Sequence, residues 1–167
     1  DSHSHLMGVA NGLLQVDLTE AASFDQVKEK IQRFIRENQV PKGKWVLAKG
    51  INHGVLQEKR LPEKAFLDEI TAEHPLVVQH TTGHSGVLNS KGLEVLDITA
   101  QTPDPDGGHI DFATGLLEEN AFIQNMERFP LPTGAELMAA FEKAQRLYAV
   151  NGITTVQEGM FVEQIRD

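Results

Sequence analysis

The spacing of apolar residues predicts a long amphipathic helix in the first quarter of the chain. Ser23 is placed as its N-cap, and Gln26 three residues later completes a capping box. Apolar side chains then recur at helical spacing to about Glu37, namely Phe24, Val27, Ile31, Phe34 and Ile35. A Pro-Lys-Gly break follows at 41–43, so the next apolar run, residues 45–48, is predicted to be a short strand.

A second amphipathic helix is predicted near the end of the chain. Thr133 caps it, with Glu136 three residues on, and its apolar face carries Leu137, Phe141, Ala144 and Tyr148. Asn-Gly at 151–152 supplies a left-handed stop, and the β-branched run 153–156 is predicted to be a strand. Helix, tight turn and buried strand in this order are typical of an α/β fold, which is the fold class we predict.

Between these two helices the pattern alternates between short helices and short strands. Helices are predicted over residues 62–70, 87–96 and 115–128, and strands over residues 75–79 and 109–112. The run Thr-Pro-Asp-Pro-Asp-Gly-Gly at 102–108 is turn sequence. Because it lacks the oxygen spacing and terminal glutamate of a calcium loop, we predict no calcium site there.

Composition and charge argue against several classes of function. The 167 residues are enough for one domain with a hydrophobic core. A net charge of −9, without any Lys/Arg-rich run, argues against nucleic acid or a membrane surface as partner. No apolar run is long enough to span a bilayer, and a cytoplasmic location is the default expectation. Since there is no cysteine, any metal must bind to nitrogen and oxygen ligands.

Both ends of the sequence have the character of interrupted elements. Residues 1–2 resemble the end of a strand whose body is missing, and residues 162–167 resemble the beginning of a helix. We therefore expect the sequence to be a piece of a longer protein.

The run Asp-Ser-His-Ser-His at residues 1–5 carries the candidate metal chemistry. In an extended segment residues two apart point to the same side, so His3 and His5 can offer imidazole nitrogens to one ion. Neutral imidazole suits zinc and similar metals, and catalytic sites keep one coordination position open for water. The spacing alone is weak evidence, because surface histidines or the remnant of a tag would look the same.

A series of short blocks resembles the amidohydrolase superfamily, specifically amidohydrolase family 3, the YtcJ-like branch that includes N-substituted formamide deformylases. The blocks cover essentially the full length in matching order. After the His-x-His motif they are Val-Asp-Leu at 16–18, Ser-Phe at 23–24, Lys-Trp-Val at 44–46 with Gly50, Leu-Pro at 61–62 with Leu-Asp at 67–68, His-Pro-Leu-Val at 74–77, Gly-His at 83–84, Asn-Ser-Lys-Gly-Leu at 89–93, the turn at 102–108, Thr-Gly-Leu-Leu at 114–117 with Glu119, and Gly-Ile-Thr-Thr-Val at 152–156. Each block is modest alone, but the ordered set is specific.

The resemblance implies a (β/α)8 barrel with its ligands at the carboxyl ends of the strands. On that view residues 1–10 hold the end of the first strand with the metal motif, residues 11–130 form an inserted α/β subdomain, and residues 131–167 provide a barrel helix and a truncated second strand. The implied activity is metal-dependent hydrolysis of an amide, formamide or similar non-peptide C–N bond in a small-molecule substrate. One or two divalent ions, expected to be zinc, would polarise the carbonyl and activate water. His3 and His5 would bind metal, and the other ligands and an aspartate base would lie beyond Asp167.

The matching blocks single out three further residues. His84 follows a predicted strand in a polar loop, where functional side chains are common, so we predict a catalytic or substrate-binding role, with bonding to local backbone as the alternative. Asn89 could bind substrate, but a residue that opens a helix is more often a cap. Glu119 could bridge metals in place of the superfamily's carboxylated lysine, although a solvated glutamate is the competing interpretation. The remaining histidines, His53, His74, His80 and His109, are interpreted as structural or loop residues.

Other interpretations lead to different expectations. A non-enzymatic α/β module for binding or assembly would keep its properties after both His3 and His5 are replaced by alanine. A deaminase-type member of the same superfamily would be recognised by histidine and aspartate spacing beyond Asp167. The 167-residue chain alone is expected to be inactive, because a catalytic zinc typically needs three protein ligands plus water. Exposed barrel surfaces could also make it self-associate as a homo-oligomer.

Overall fold

The computed structural model describes residues 3–159, in which the chain divides into two compact units. The smaller unit contains the described residues up to Gln15 and those from Leu131 onward, and the larger unit is Val16–Pro130. No helix in the described part of the chain is long and apolar enough to cross a membrane. The ends predicted to be strand and helix, residues 1–2 and 162–167, lie outside the described residues.

The described residues contain six helices and six strands. The helices are α1 (Leu6–Gly12), α2 (Phe24–Glu37), α3 (Lys64–Ile70), α4 (Ser90–Val95), α5 (Asn120–Met126) and α6 (Gly134–Val150). The strands are β1 (Val16–Asp17), β2 (Val46–Ile51), β3 (Leu76–His80), β4 (Ser85–Leu88), β5 (Gly108–Asp111) and β6 (Leu116–Glu119). The fold class is therefore α/β, as predicted.

All six strands belong to the larger unit and form one mixed sheet in the order β1-β2-β3-β4-β6-β5. The first three strands in this order pair in parallel, and the remaining pairs are antiparallel. Parallel neighbours need a crossover, which α2 provides between β1 and β2 and α3 between β2 and β3. The carboxyl ends of β1, β2 and β3 consequently meet at one edge of the sheet.

Side-chain alternation along the central strands places a hydrophobic core on each face of the sheet. On β3, Leu76 and Val78 join one cluster with residues of α2 and α3, whereas Val77 joins a second cluster with residues of α4 and α5. All three side chains are buried. The predicted strand over residues 75–79 is thus confirmed. A strand buried on both faces has a continuous run of apolar residues, which is the pattern that predicted it.

The caps of the two long predicted helices are confirmed. The Ser23 hydroxyl accepts the N–H of Gln26 at 3.3 Å, but the Gln26 side chain accepts the N–H of Ala22 instead of completing the capping box. Thr133 and Glu136 form the full reciprocal box at the start of α6. Both caps act within a few residues, which is why the sequence alone predicts them.

Two of the shorter predicted helices are wrong in their first part. Residues 85–88 and 116–119 are β4 and β6, and the helices begin only at Ser90 and Asn120. The two strands pair with each other in antiparallel register, with Gly86 opposite Leu117. Their short apolar runs fit a helix or a strand equally well, so pairing within the sheet decides the outcome.

The smaller unit is built around the packing of α1 against α6. Ala10, Ala140 and Ala144 form its buried centre, where small side chains allow the two helices to approach closely. Gly152 has φ of +77°, which confirms the left-handed stop after α6. The predicted strand at 153–156 is wrong, because these residues have no ladder partner in the described part of the chain. Pairing begins just beyond them, as a single parallel bridge between Ser4 and Glu158.

Candidate functional site

The two histidines of the amino-terminal motif lie in the smaller unit immediately before α1. The segment that carries them pairs with residues 157–159, since Ser4 N–H donates to the Gln157 carbonyl at 3.0 Å and Gly159 N–H donates to the Ser4 carbonyl at 2.7 Å. Ser4 is buried, whereas His3 and His5 on either side of it are exposed. Their rings lie edge to face with centroids 5.3 Å apart, so the two imidazoles are neighbours, as their spacing predicts.

Glycine at position 159 makes room for the ring of His3. A Cβ built there would lie 2.8 Å from both Cε1 and Nε2 of His3, well inside the separation of about 3.5–4.0 Å at which carbon atoms make favourable contact. The ring of His3 therefore lies beside a backbone that carries no side chain at the point of closest approach.

Glu158 is a further site residue that sequence reasoning missed. Its Oε1 lies 3.3 Å from Nδ1 of His5, and its Oε2 accepts the backbone N–H of Met7 at 2.9 Å. The signal that could have found it is its place as the first carboxylate after the run 153–156. If residues 153–156 and 3–5 are treated as adjacent parallel strands, the ends of the two segments meet, and Glu158 lies beside His5.

The donor set of the smaller unit fits part of a metal site. Two imidazoles side by side suit zinc and other divalent metals of intermediate softness. Within residues 3–159, however, no group of three or more histidine, aspartate or glutamate side chains could hold a metal ion. His3 and His5 thus fit as two ligands of a site whose further ligands would come from outside the described residues.

In the larger unit the structure brings His84 and Glu119 together. Nδ1 of His84 lies 3.0 Å from Oε2 of Glu119, and the backbone N–H of Glu119 donates to the His84 carbonyl at 2.7 Å. Both side chains are more than half exposed, at 59% and 62%, so water screens the pair and it contributes little to stability. Glu119 also has φ of +49°, an unfavourable backbone conformation for a residue other than glycine.

A second pair of histidines lies where the parallel strands end. His80 is the last residue of β3 and His53 follows β2, and their rings stack with centroids 5.2 Å apart. Nδ1 of His80 lies 2.9 Å from the Thr82 hydroxyl oxygen and 3.3 Å from the Thr82 backbone nitrogen. Its Nε2 is buried without a hydrogen-bond partner among the described residues. Burial, followed by the charge of the neighbouring His53, lowers the pKa of His80.

Asn89 is fully buried, and its side chain makes four hydrogen bonds within the protein. Oδ1 accepts the N–H of Gly92 at 2.8 Å, which caps α4, and the N–H of Leu76 at 2.9 Å. Nδ2 donates to the carbonyls of Thr71 and His74, each at 2.9 Å. These bonds use all the donor and acceptor positions of the amide. They support the capping interpretation, and the substrate-binding role stays a prediction.

Comparison with known proteins identifies the same family as the sequence motifs. A family model described as the amidohydrolase family matches residues 1–166. The chain is 33% identical over 126 residues to YtcJ of Bacillus subtilis, which covers 72% of this chain and 23% of that protein. It is 34% identical over 113 residues to the N-substituted formamide deformylase of Arthrobacter pascens, which covers 66% of this chain and 20% of that protein. The chain thus spans less than a quarter of the length of these relatives.

Two solved structures also match the chain. An uncharacterized metal-dependent hydrolase from Pyrococcus horikoshii OT3 matches with a TM-score of 0.65 at 25% identity, over 93% of this chain and 29% of that one. A second such hydrolase, from Pyrococcus furiosus, matches with a TM-score of 0.65 at 24% identity and shows the fold alone. The resemblance drawn from the sequence blocks is therefore confirmed, and the chain belongs to the amidohydrolase family.

Proposed function

We propose that the protein containing this chain is a metal-dependent hydrolase acting on an amide, formamide or other non-peptide C–N bond of a small molecule. The observation that carries the proposal is the pair of exposed imidazoles of His3 and His5, whose centroids are 5.3 Å apart, with the ring of His3 beside Gly159. Membership of the amidohydrolase family supports hydrolysis. Similarity to an N-substituted formamide deformylase supports a formamide-type substrate, and similarity to a metal-dependent hydrolase supports the metal.

The architecture that we propose for the whole protein is a (β/α)8 barrel. In that barrel the pairing segments 3–5 and 157–159 would lie at the ends of the first two strands, of which the described residues form only a single bridge. The parallel bridge between Ser4 and Glu158 supports this assignment, because neighbouring strands of such a barrel are parallel. The larger unit, Val16–Pro130, would then be an insertion between the two strands, and His3 and His5 would stand at the carboxyl ends, where barrel enzymes place their active sites.

In this proposal His3 and His5 hold a divalent ion, zinc, through ring nitrogens. When bound, such an ion polarises a substrate carbonyl and lowers the pKa of water. The chain's own part is to keep the two imidazoles side by side and accessible, with Nδ1 of His5 engaged by Glu158. The general base and the remaining ligands would lie outside the described residues.

We also propose that His84 contacts the polar end of the substrate. Its ring is exposed, and Nδ1 is engaged by Glu119, so Nε2 is the nitrogen left to face a ligand. The same hydrogen bond supports an orienting role for Glu119 over a metal-bridging one. Replacing Glu119 with glutamine should then raise the KM for substrate without changing the metal content of the protein.

Metal content tests the central proposal. In the protein containing this chain, replacing both His3 and His5 with alanine is expected to weaken zinc binding and to abolish hydrolysis of a simple N-substituted formamide. His109→Ala is the matched control, because His109 is an exposed histidine of the larger unit hydrogen-bonded to Asp104. Zinc stoichiometry and turnover that survive the double replacement would contradict the proposal.

A further inference from the structure

We infer that Glu158 is a positioning residue that sets the tautomer and the ring orientation of His5. The inference rests on the proposed function, in that it names how one of the two proposed metal ligands is prepared for its ion. It is carried by the contacts of the Glu158 carboxylate with His5 and with the first turn of α1.

The carboxylate of Glu158 is held in place on both sides. Its backbone lies in the parallel bridge with Ser4, and the N–H of the next residue, Gly159, donates to the Ser4 carbonyl. Its Oε2 accepts the N–H of Met7, the second residue of α1. The first N–H groups of a helix have no partner within the helix, and His5, the residue at the N-cap position, makes no side-chain cap. Glu158 therefore supplies a cap that the helix lacks locally.

The other carboxylate oxygen acts on His5. An ionised carboxylate only accepts hydrogen bonds, so Nδ1 of His5, 3.3 Å from Oε1, must carry the hydrogen and donate it. In the neutral ring the second nitrogen, Nε2, then has a free lone pair, which is the form that a metal ion requires. Because both oxygens of Glu158 are engaged, by His5 and by Met7, the carboxylate acts through His5 and is not itself placed as a ligand.

The geometry also explains why the residue should be a glutamate and not a glutamine. The two groups that contact its oxygens here, the Met7 N–H and the His5 Nδ1–H, are donors. A glutamine has one acceptor oxygen and one NH2 group, so it can satisfy only one of the two donors. The opposing NH2 would favour the other tautomer of His5, with the hydrogen on Nε2.

The test is Glu158→Gln in the protein containing this chain, with Glu142→Gln, an exposed glutamate of α6, as the matched control. Nitrogen-15 NMR of the metal-free protein, at a pH where the ring is neutral, should show the hydrogen of His5 on Nδ1 in the parent and control proteins. In Glu158→Gln it should move toward Nε2. Zinc affinity should fall about 10–100-fold in Glu158→Gln, the usual effect of removing such an outer partner, and stay unchanged in the control.

The outcomes separate this inference from the proposed function. If His5→Ala weakens zinc binding but Glu158→Gln changes neither tautomer nor affinity, the metal site stands and the role of Glu158 is refuted. If His5→Ala leaves zinc binding unchanged, the proposed function fails, whatever the tautomer shows. A parent protein in which the hydrogen of His5 resides on Nε2 would overturn the inference without any variant, even if Glu158→Gln did not fold.

Discussion

Replacing Asn89 with alanine should destabilise the larger unit strongly. The side chain is fully buried and bonds four backbone groups, those of Gly92, Leu76, Thr71 and His74. Loss of the cap on α4 costs about 1 kcal/mol. Each of the other backbone groups, if left buried without a partner, adds roughly 1–3 kcal/mol. With partial relief by water entering the space, we expect a total loss of about 3–5 kcal/mol, a large share of the 5–15 kcal/mol that typically stabilises a domain.

Urea denaturation of the 167-residue chain, followed by the fluorescence of Trp45, measures this loss. Trp45 is the only tryptophan in the sequence and packs against Phe129 in the larger unit, with ring centroids 5.2 Å apart. Ser23→Ala is the matched control, because Ser23 caps α2 with a single hydrogen bond and should cost about 1 kcal/mol. If Asn89→Ala costs no more than Ser23→Ala, the structural account of Asn89 is refuted and the substrate-binding alternative gains support.

Two further predictions concern the same unit. Burial, followed by the charge of His53, lowers the pKa of His80 below its ordinary value of 6.5. His80 therefore takes up a proton more readily in the unfolded chain than in the folded one. The free energy of unfolding should consequently decrease as pH falls below about 6.5. His53→Ala should raise the pKa of His80 in an NMR titration, and an unchanged value would count against the pairing. Gly86→Ala should cost about 1–3 kcal/mol by overpacking, since its Cβ would lie 2.3 Å from Cε2 of the buried Phe122. The control is Gly134→Ala in α6 of the smaller unit, where an added Cβ meets nothing within 4 Å and should not destabilise. Equal unfolding midpoints for these two variants would contradict the packing described.

The elements that the sequence predicts correctly depend on neighbours along the chain. Helices α2 and α6 begin after Ser23 and Thr133 because capping hydrogen bonds and apolar spacing act within one or two turns. The run 75–79 is predicted as a buried strand for a similar reason, since its apolar residues are consecutive. In each case the relevant physical interactions, or their periodicity, are contained in fewer than twenty residues.

The elements that it predicts wrongly depend on distant partners. The apolar runs in β4 and β6 become strands because they pair with each other across about thirty residues of sequence. Glu119 ends β6 in a left-handed backbone conformation, which no helical pattern indicates for a residue other than glycine. Local spacing cannot distinguish these cases, because the energy that decides them comes from hydrogen bonds of the sheet.

The same distinction between interactions of sequence neighbours and of distant residues applies to the candidate site. The sequence by itself determined the family resemblance and the adjacency of His3 and His5, because residues two apart in an extended segment share a side. Only the tertiary structure decided that Glu158, 153 residues away, meets His5, that Glu119 meets His84, and that Asn89 is occupied by four backbone groups. Hydrogen bonds are short-ranged and directional, so partners that are far apart in sequence are recognised only when the fold has placed them within about 3 Å of each other.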